Sequence, residues 1–104
     1  MAWFVLAVAG VLEVVWAYSM KQSAGFTRLW PSIITLAGLT TSLLLLSWSM
    51  RTLPLGTAYT VWTGIGAIGA FVVGILWLNE PASALRVLAA LLIIGGLLLM
   101  KIAS

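Results

Sequence analysis

The chain has 104 residues, 63% of them hydrophobic and only 7% charged, with a mean hydropathy of +1.22 and a formal net charge of +3. A water-soluble domain of this length needs far more polar surface, so the composition excludes one and implies an integral membrane protein. No cysteine or histidine occurs, which excludes disulfides, thiolate chemistry and the usual metal sites, and no cofactor-binding motif is visible.

The charged residues punctuate the chain at Glu13, Lys21, Arg28, Arg51, Glu80, Arg86 and Lys101, leaving 29–50 and 52–79 uncharged. About 20 apolar residues in a helix cross the roughly 30 Å hydrocarbon core of a bilayer. The spacing predicts one all-α domain over 1–104 with four transmembrane helices, at 2–20, 30–50, 55–78 and 83–102. A signal peptide is the weaker reading of the first segment, which has no basic n-region and is followed at once by another apolar run. The basic residues stand singly near helix ends, which favours interfacial anchoring in a cell (inner or cytoplasmic) membrane over nucleic-acid binding.

Helix 1 carries Glu13 well inside an otherwise uncharged stretch. A carboxylate near the middle of a bilayer is costly by about 3 kcal/mol or more, and such residues face a bundle interior and serve a purpose. Gly10 and Trp16 share its face at helical spacing, with Ala9 and Ala17 beside them. The small residues leave room against the carboxylate, and Trp16 offers a flat wall.

Helix 2 opens at Trp30-Pro31, with proline near the first turn where its missing N–H costs little. Ser42, near its middle, has a hydroxyl within expected reach of Glu13. Helix 3 is rich in glycine, and the cluster Gly64, Gly66 and Gly69 points either to a flexible kink or to close helix packing. Tyr59 and Trp62 share one face of it with Thr63 and Gly66. Two aromatic rings and a carboxylate converging away from water form a cation site.

Asn79-Glu80-Pro81 is the last turn, and Ser83 is the expected N-cap of helix 4. Helix 4 lacks polar groups along 87–100, and Gly95 and Gly96 mark it as a surface for helix–helix contact. Trp3, Trp30, Trp48 and Trp77 fall near helix ends, as an interfacial belt does.

With the N-terminus inside, the inner segments hold Arg51 and Lys101 and the outer loops hold Lys21, Arg28 and Arg86. A bias this small does not choose an orientation. Two copies inserted in opposite senses supply the inverted repeat that many secondary transporters encode within one chain. The expectation is therefore an antiparallel, dual-topology homodimer. If protons and a cation compete for its two Glu13 carboxylates while it opens to one side at a time, exchange follows. No nucleophile–base pair, metal cluster or phosphate loop points to an enzyme.

The chain resembles the small multidrug resistance family of proton-coupled exporters over essentially its whole length. The resemblance rests on Glu13-Val14-Val15-Trp16-Ala17, Lys21, Gly25-Phe26-Thr27-Arg28, the run from Leu53 to Tyr59, Trp62-Thr63-Gly64-Ile65-Gly66-Ala67, Glu80-Pro81 and Lys101. These look like the guanidinium-exporter subtype. The resemblance implies a homodimer exchanging two protons for one guanidinium ion, with Glu13 of both copies binding each in turn. It implies that Ser42 and Trp16 hold the carboxylates, that Tyr59 and Trp62 line the site, and that Gly95 and Gly96 form much of the dimer contact. Thr60 departs from the small apolar residue usual in the subtype. The alternatives are an exporter of hydrophobic quaternary ammonium compounds and a non-transporting subunit of a hetero-complex.

Overall fold

The computed structural model describes residues 1–103. Its four α-helices are α1 (Ala2–Gln22), α2 (Leu29–Ser49), α3 (Leu55–Trp77) and α4 (Ala84–Ile102). Each is long and apolar enough to cross a membrane. This is an all-helical, multi-pass membrane protein.

Local chemistry sets the helix ends. α1 runs to Gln22 rather than stopping at Met20, because Ser23 closes its last turn. The Ser23 hydroxyl donates to the Met20 carbonyl (2.6 Å) and accepts from the Phe26 N–H (3.0 Å). Ala24, Gly25 and Phe26 then turn the chain through the left-handed region (φ 50°, 76° and 67°), which only the glycine enters without steric cost. α2 keeps Pro31 in its first turn, where the proline carbonyl accepts the Thr35 hydroxyl at 2.7 Å. α3 starts directly after Pro54. At α4, the Ser83 side chain accepts from the Arg86 N–H at 3.3 Å, so Ser83 is the N-cap expected from the sequence.

The helices stand in the order α2, α1, α3, α4: α1 packs on α2 and α3, α2 and α3 also touch, and α4 packs on α3. The molecule is correspondingly flat, with principal extents of 40 × 35 × 16 Å. A helix with its side chains is about 10–12 Å across, so the slab is less than two helices thick.

Lipid is as apolar as leucine, so helices in a membrane associate through close packing and interhelical hydrogen bonds. Missing side chains make that packing here. A Cβ at Gly10 would lie 2.6 Å from Ile65, and one at Gly38 would lie 2.9 Å from the Cβ of Trp16. Gly64 receives Leu97 and Gly69 receives Val14, both still more tightly. α3 is continuous helix through 64–70, and its glycines there are filled by neighbouring side chains. Leu6, Ala9, Leu46, Ala58, Val61 and Trp62 form the buried cluster at the meeting of α1, α2 and α3.

α4 differs from the rest. None of its residues is buried, and Cβ atoms built at Gly95 and Gly96 would meet nothing within 4 Å. Besides its packing on α3, its far end carries Lys101 across to α1, with Nζ 4.3 Å from the centre of the Trp3 ring.

Candidate functional site

Glu13 lies on the face of α1 that meets α3. Its carboxylate occupies the space that a side chain at Gly66 would fill, so the missing Cβ is what admits it. One carboxylate oxygen, Oε1, is buried and has no hydrogen-bond partner. Leaving such a group unsatisfied costs about 1–3 kcal/mol, and more when it is charged. The Nε1 of Trp16, one turn further along α1, is also buried and without a partner. Among the described residues no cation pairs with Glu13; the ion pair of the structure is Arg86–Glu80. A proton, or a cation rich in N–H donors, would make good the deficit at Glu13.

Beside this carboxylate runs a hydrogen-bond chain that links three helices. Trp62 on α3 donates its indole N–H to the Ser42 hydroxyl on α2 at 2.9 Å. Ser42 in turn donates to the Ala9 carbonyl on α1 at 2.7 Å. A hydroxyl has one proton to donate, so in this arrangement Ser42 gives it to the backbone and not to Glu13. The sequence had pointed the same hydroxyl at the carboxylate. Ala9, one turn before Glu13, is fully buried, and the use of its carbonyl as a second acceptor within a helix is invisible to pattern reading.

The remaining residues singled out from sequence divide between the site and its supports. Tyr59 stacks near Trp62 with ring centroids 5.5 Å apart and planes tilted by 51°, and it is half exposed at the edge of the bundle. Gly10 does not leave open space: Ile65 fills it. Trp16 packs its Cβ against Gly38 of α2, so it is a wall between helices as well as a neighbour of Glu13. A Cβ at Gly95 or Gly96 would meet nothing within 4 Å. Sequence reasoning placed Ala9 beside Glu13 but gave its carbonyl no part, and it assigned no role to Gly38 or to Ile65. The single glycine of α2 was the one available signal.

Comparison with known proteins bears on the same residues. The family model described as small multidrug resistance protein matches residues 1–93. The chain belongs to this family. Three of its curated relatives are named guanidinium exporter. That of Citrobacter freundii is 57% identical, across all of this chain and 99% of its own length. That of Salmonella typhimurium (strain LT2) is 53% identical over the same shares. That of Yersinia pseudotuberculosis is also 53% identical and is covered end to end, as is this chain. The similarity therefore spans all four helices, the carboxylate-bearing α1 and the open α4 alike.

Proposed function

We propose that the protein is a guanidinium exporter that exchanges guanidinium for protons, working as two copies of the chain in opposite orientations in the cytoplasmic membrane. The observation that carries this reading is the buried, unpartnered carboxylate oxygen of Glu13, set against Gly66 and one helix face from the Trp62–Ser42–Ala9 chain. The names of relatives more than half identical to the chain support the substrate.

Guanidinium suits such a site chemically. It is planar, carries N–H donors along every edge, and meets a carboxylate bidentately. In the proposed mechanism Glu13 of each copy holds either a proton or the substrate. Protons leave as guanidinium binds and return as it departs on the other side. Trp16, with an indole N–H that lacks a partner, orients a carboxylate of the pair, and Tyr59 and Trp62 present ring faces to the cation. Ser42 holds Trp62 in place for that task. Gly10 lets α1 and α3 approach closely enough to form the site.

The flatness of the chain supports a second copy. A single row of helices 16 Å thick encloses no path, and α4 presents a wholly uncovered apolar face with Gly95 and Gly96 open upon it. The nearly even distribution of basic residues between the two sides supports opposite insertion.

The test is transport current in liposomes that contain only this protein. Guanidinium is expected to give a current that Glu13→Gln abolishes while the dimer persists on sizing, and arginine none. A current for tetrapropylammonium but not guanidinium would replace the substrate by quaternary ammonium drugs. Silence with all three from folded protein would transfer the role to a complex with another subunit. Orientation is tested apart: a cysteine added at either terminus is expected to label from both sides of the membrane in comparable amounts. One-sided labelling would defeat the antiparallel arrangement.

A further inference from the structure

A cleft of about 370 Å³ opens between α1 and α3 at the end of the bundle where α4 begins. Its inner wall includes Val14, next to Glu13, and its mouth carries Lys21, Phe71, Glu80 and Arg86. Asn79 turns the chain back there with φ 54°, and the Glu80 N–H bonds to the Gly74 carbonyl at 3.0 Å. That brings the Glu80 carboxylate into the space left by the missing side chain of Gly74. Arg86 is held at its backbone by the Ser83 cap, and a helical side chain leans toward the helix N-terminus. Its guanidinium consequently reaches back. It donates to the Pro81 carbonyl, lies 3.7 Å from Glu80 Oε1, and sits over the Phe71 ring with Cζ 5.1 Å from the centroid.

A carboxylate, a carbonyl and an aromatic face gathered about one guanidinium are what the free ion itself needs. We propose that Glu80, the Pro81 carbonyl and Phe71 form a second guanidinium-binding site at the mouth of this cleft, filled in the present structure by the chain's own Arg86. The inference rests on guanidinium being the substrate.

The resident group is easy to displace. The side chains of Arg86 and Glu80 are 38% and 40% exposed, and their separation is long for a hydrogen-bonded pair. An exposed pair of this kind shifts an equilibrium by no more than about fivefold. A free ion is untethered and can approach Glu80 edge-on with two N–H groups at once, a geometry that Arg86 does not reach at 3.7 Å. While Arg86 is docked, it and Lys21 outnumber Glu80 and leave the mouth positive. Undocked into the headgroup region, Arg86 leaves Glu80 as the carboxylate that meets a cation at the mouth of the cleft.

The experiment measures guanidinium chloride binding by calorimetry to dimers carrying Glu13→Gln, with sodium chloride as the ionic-strength control. The single variant is expected to retain weak, saturable binding, and Glu13→Gln with Glu80→Gln to lose it. Adding Arg86→Met to Glu13→Gln, which keeps the apolar stem and removes the competitor, is expected to tighten binding by up to about fivefold. Should that variant fold poorly, the near-isosteric Glu80→Gln comparison decides alone. Absence of saturable binding to Glu13→Gln, binding indifferent to Glu80→Gln, or weakening by Arg86→Met in folded protein would each overturn the second site. A wild-type guanidinium current without such binding leaves the exporter reading intact and removes only this site. Glu80-dependent binding without any Glu13-dependent current does the reverse.

Discussion

The glycines of α3 and those of α4 have the same sequence character and opposite surroundings. Gly64, Gly66 and Gly69 are each occupied by a side chain of this chain: Leu97, Glu13 and Val14. Gly95 and Gly96 face nothing within 4 Å. Small residues on a membrane helix thus report that something approaches closely, and the filled set shows what does so from within. The open set is left uncovered by the chain itself, which is why α4 carries the proposed dimer contact.

Adding a single methyl at each set separates the two roles. At Gly66 the obstructing atoms are the far end of a flexible glutamate, so the helix accommodates the change and the carboxylate gives way. Gly66→Ala is expected to fold and dimerise near normally yet lose Glu13-dependent guanidinium current, to the level of Glu13→Gln. Retention of most of the current would mean that the Gly66 recess does not position the carboxylate. Gly74→Ala is the matching change for Glu80, expected to remove the second binding site while sparing the first.

At Gly96 the expected effect lies in assembly. Gly96→Leu adds bulk where a Cβ meets nothing within 4 Å, so helix content is expected to stay constant while the dimer dissociates at least about tenfold more readily, taking transport with it. A variant that dimerises as before would place the contact elsewhere on α4.

The smallest effect is expected at Ser42. Ser42→Ala leaves the buried Trp62 N–H without its acceptor and removes the second donor to the Ala9 carbonyl, a loss of about 1–3 kcal/mol in stability. Thermal unfolding in detergent measures it, and Trp62 fluorescence reports whether the ring has moved. If the stability is unchanged but transport falls, Ser42 acts on Glu13 directly, as the sequence had led one to expect, in a conformation other than the one described.

Much of the helical plan was legible because the bilayer makes it so. Four apolar runs separated by charges, prolines and glycines leave a chain few alternatives when every backbone group in lipid must be bonded internally. Glu13 was legible for the same reason: a lone carboxylate at that depth stands out against its neighbours. Ser83 was legible as a cap because capping is local, within one turn of the chain.

What depended on distant partners was not legible. Helical spacing placed Ser42 and Glu13 on facing surfaces, but which of two nearby acceptors takes one hydroxyl proton depends on shifts of an ångström between helices. Gly10 read as open room and is filled by Ile65, since periodicity gives the face of a residue and not the register of what opposes it. Lys101 and Arg86 both read as interfacial anchors, and each turned out to lie on an aromatic ring, Trp3 and Phe71.

The sequence by itself determined the class of molecule, the number of spans and the presence of one carboxylate too costly to be idle, because hydropathy and charge act through composition along a single helix. The order of helices across the slab, the recess at Gly66 that receives Glu13, and the meeting of Glu80, Arg86 and Phe71 were decided only by tertiary structure. Each depends on how closely two helices approach, and that distance is set by side chains far apart in the chain.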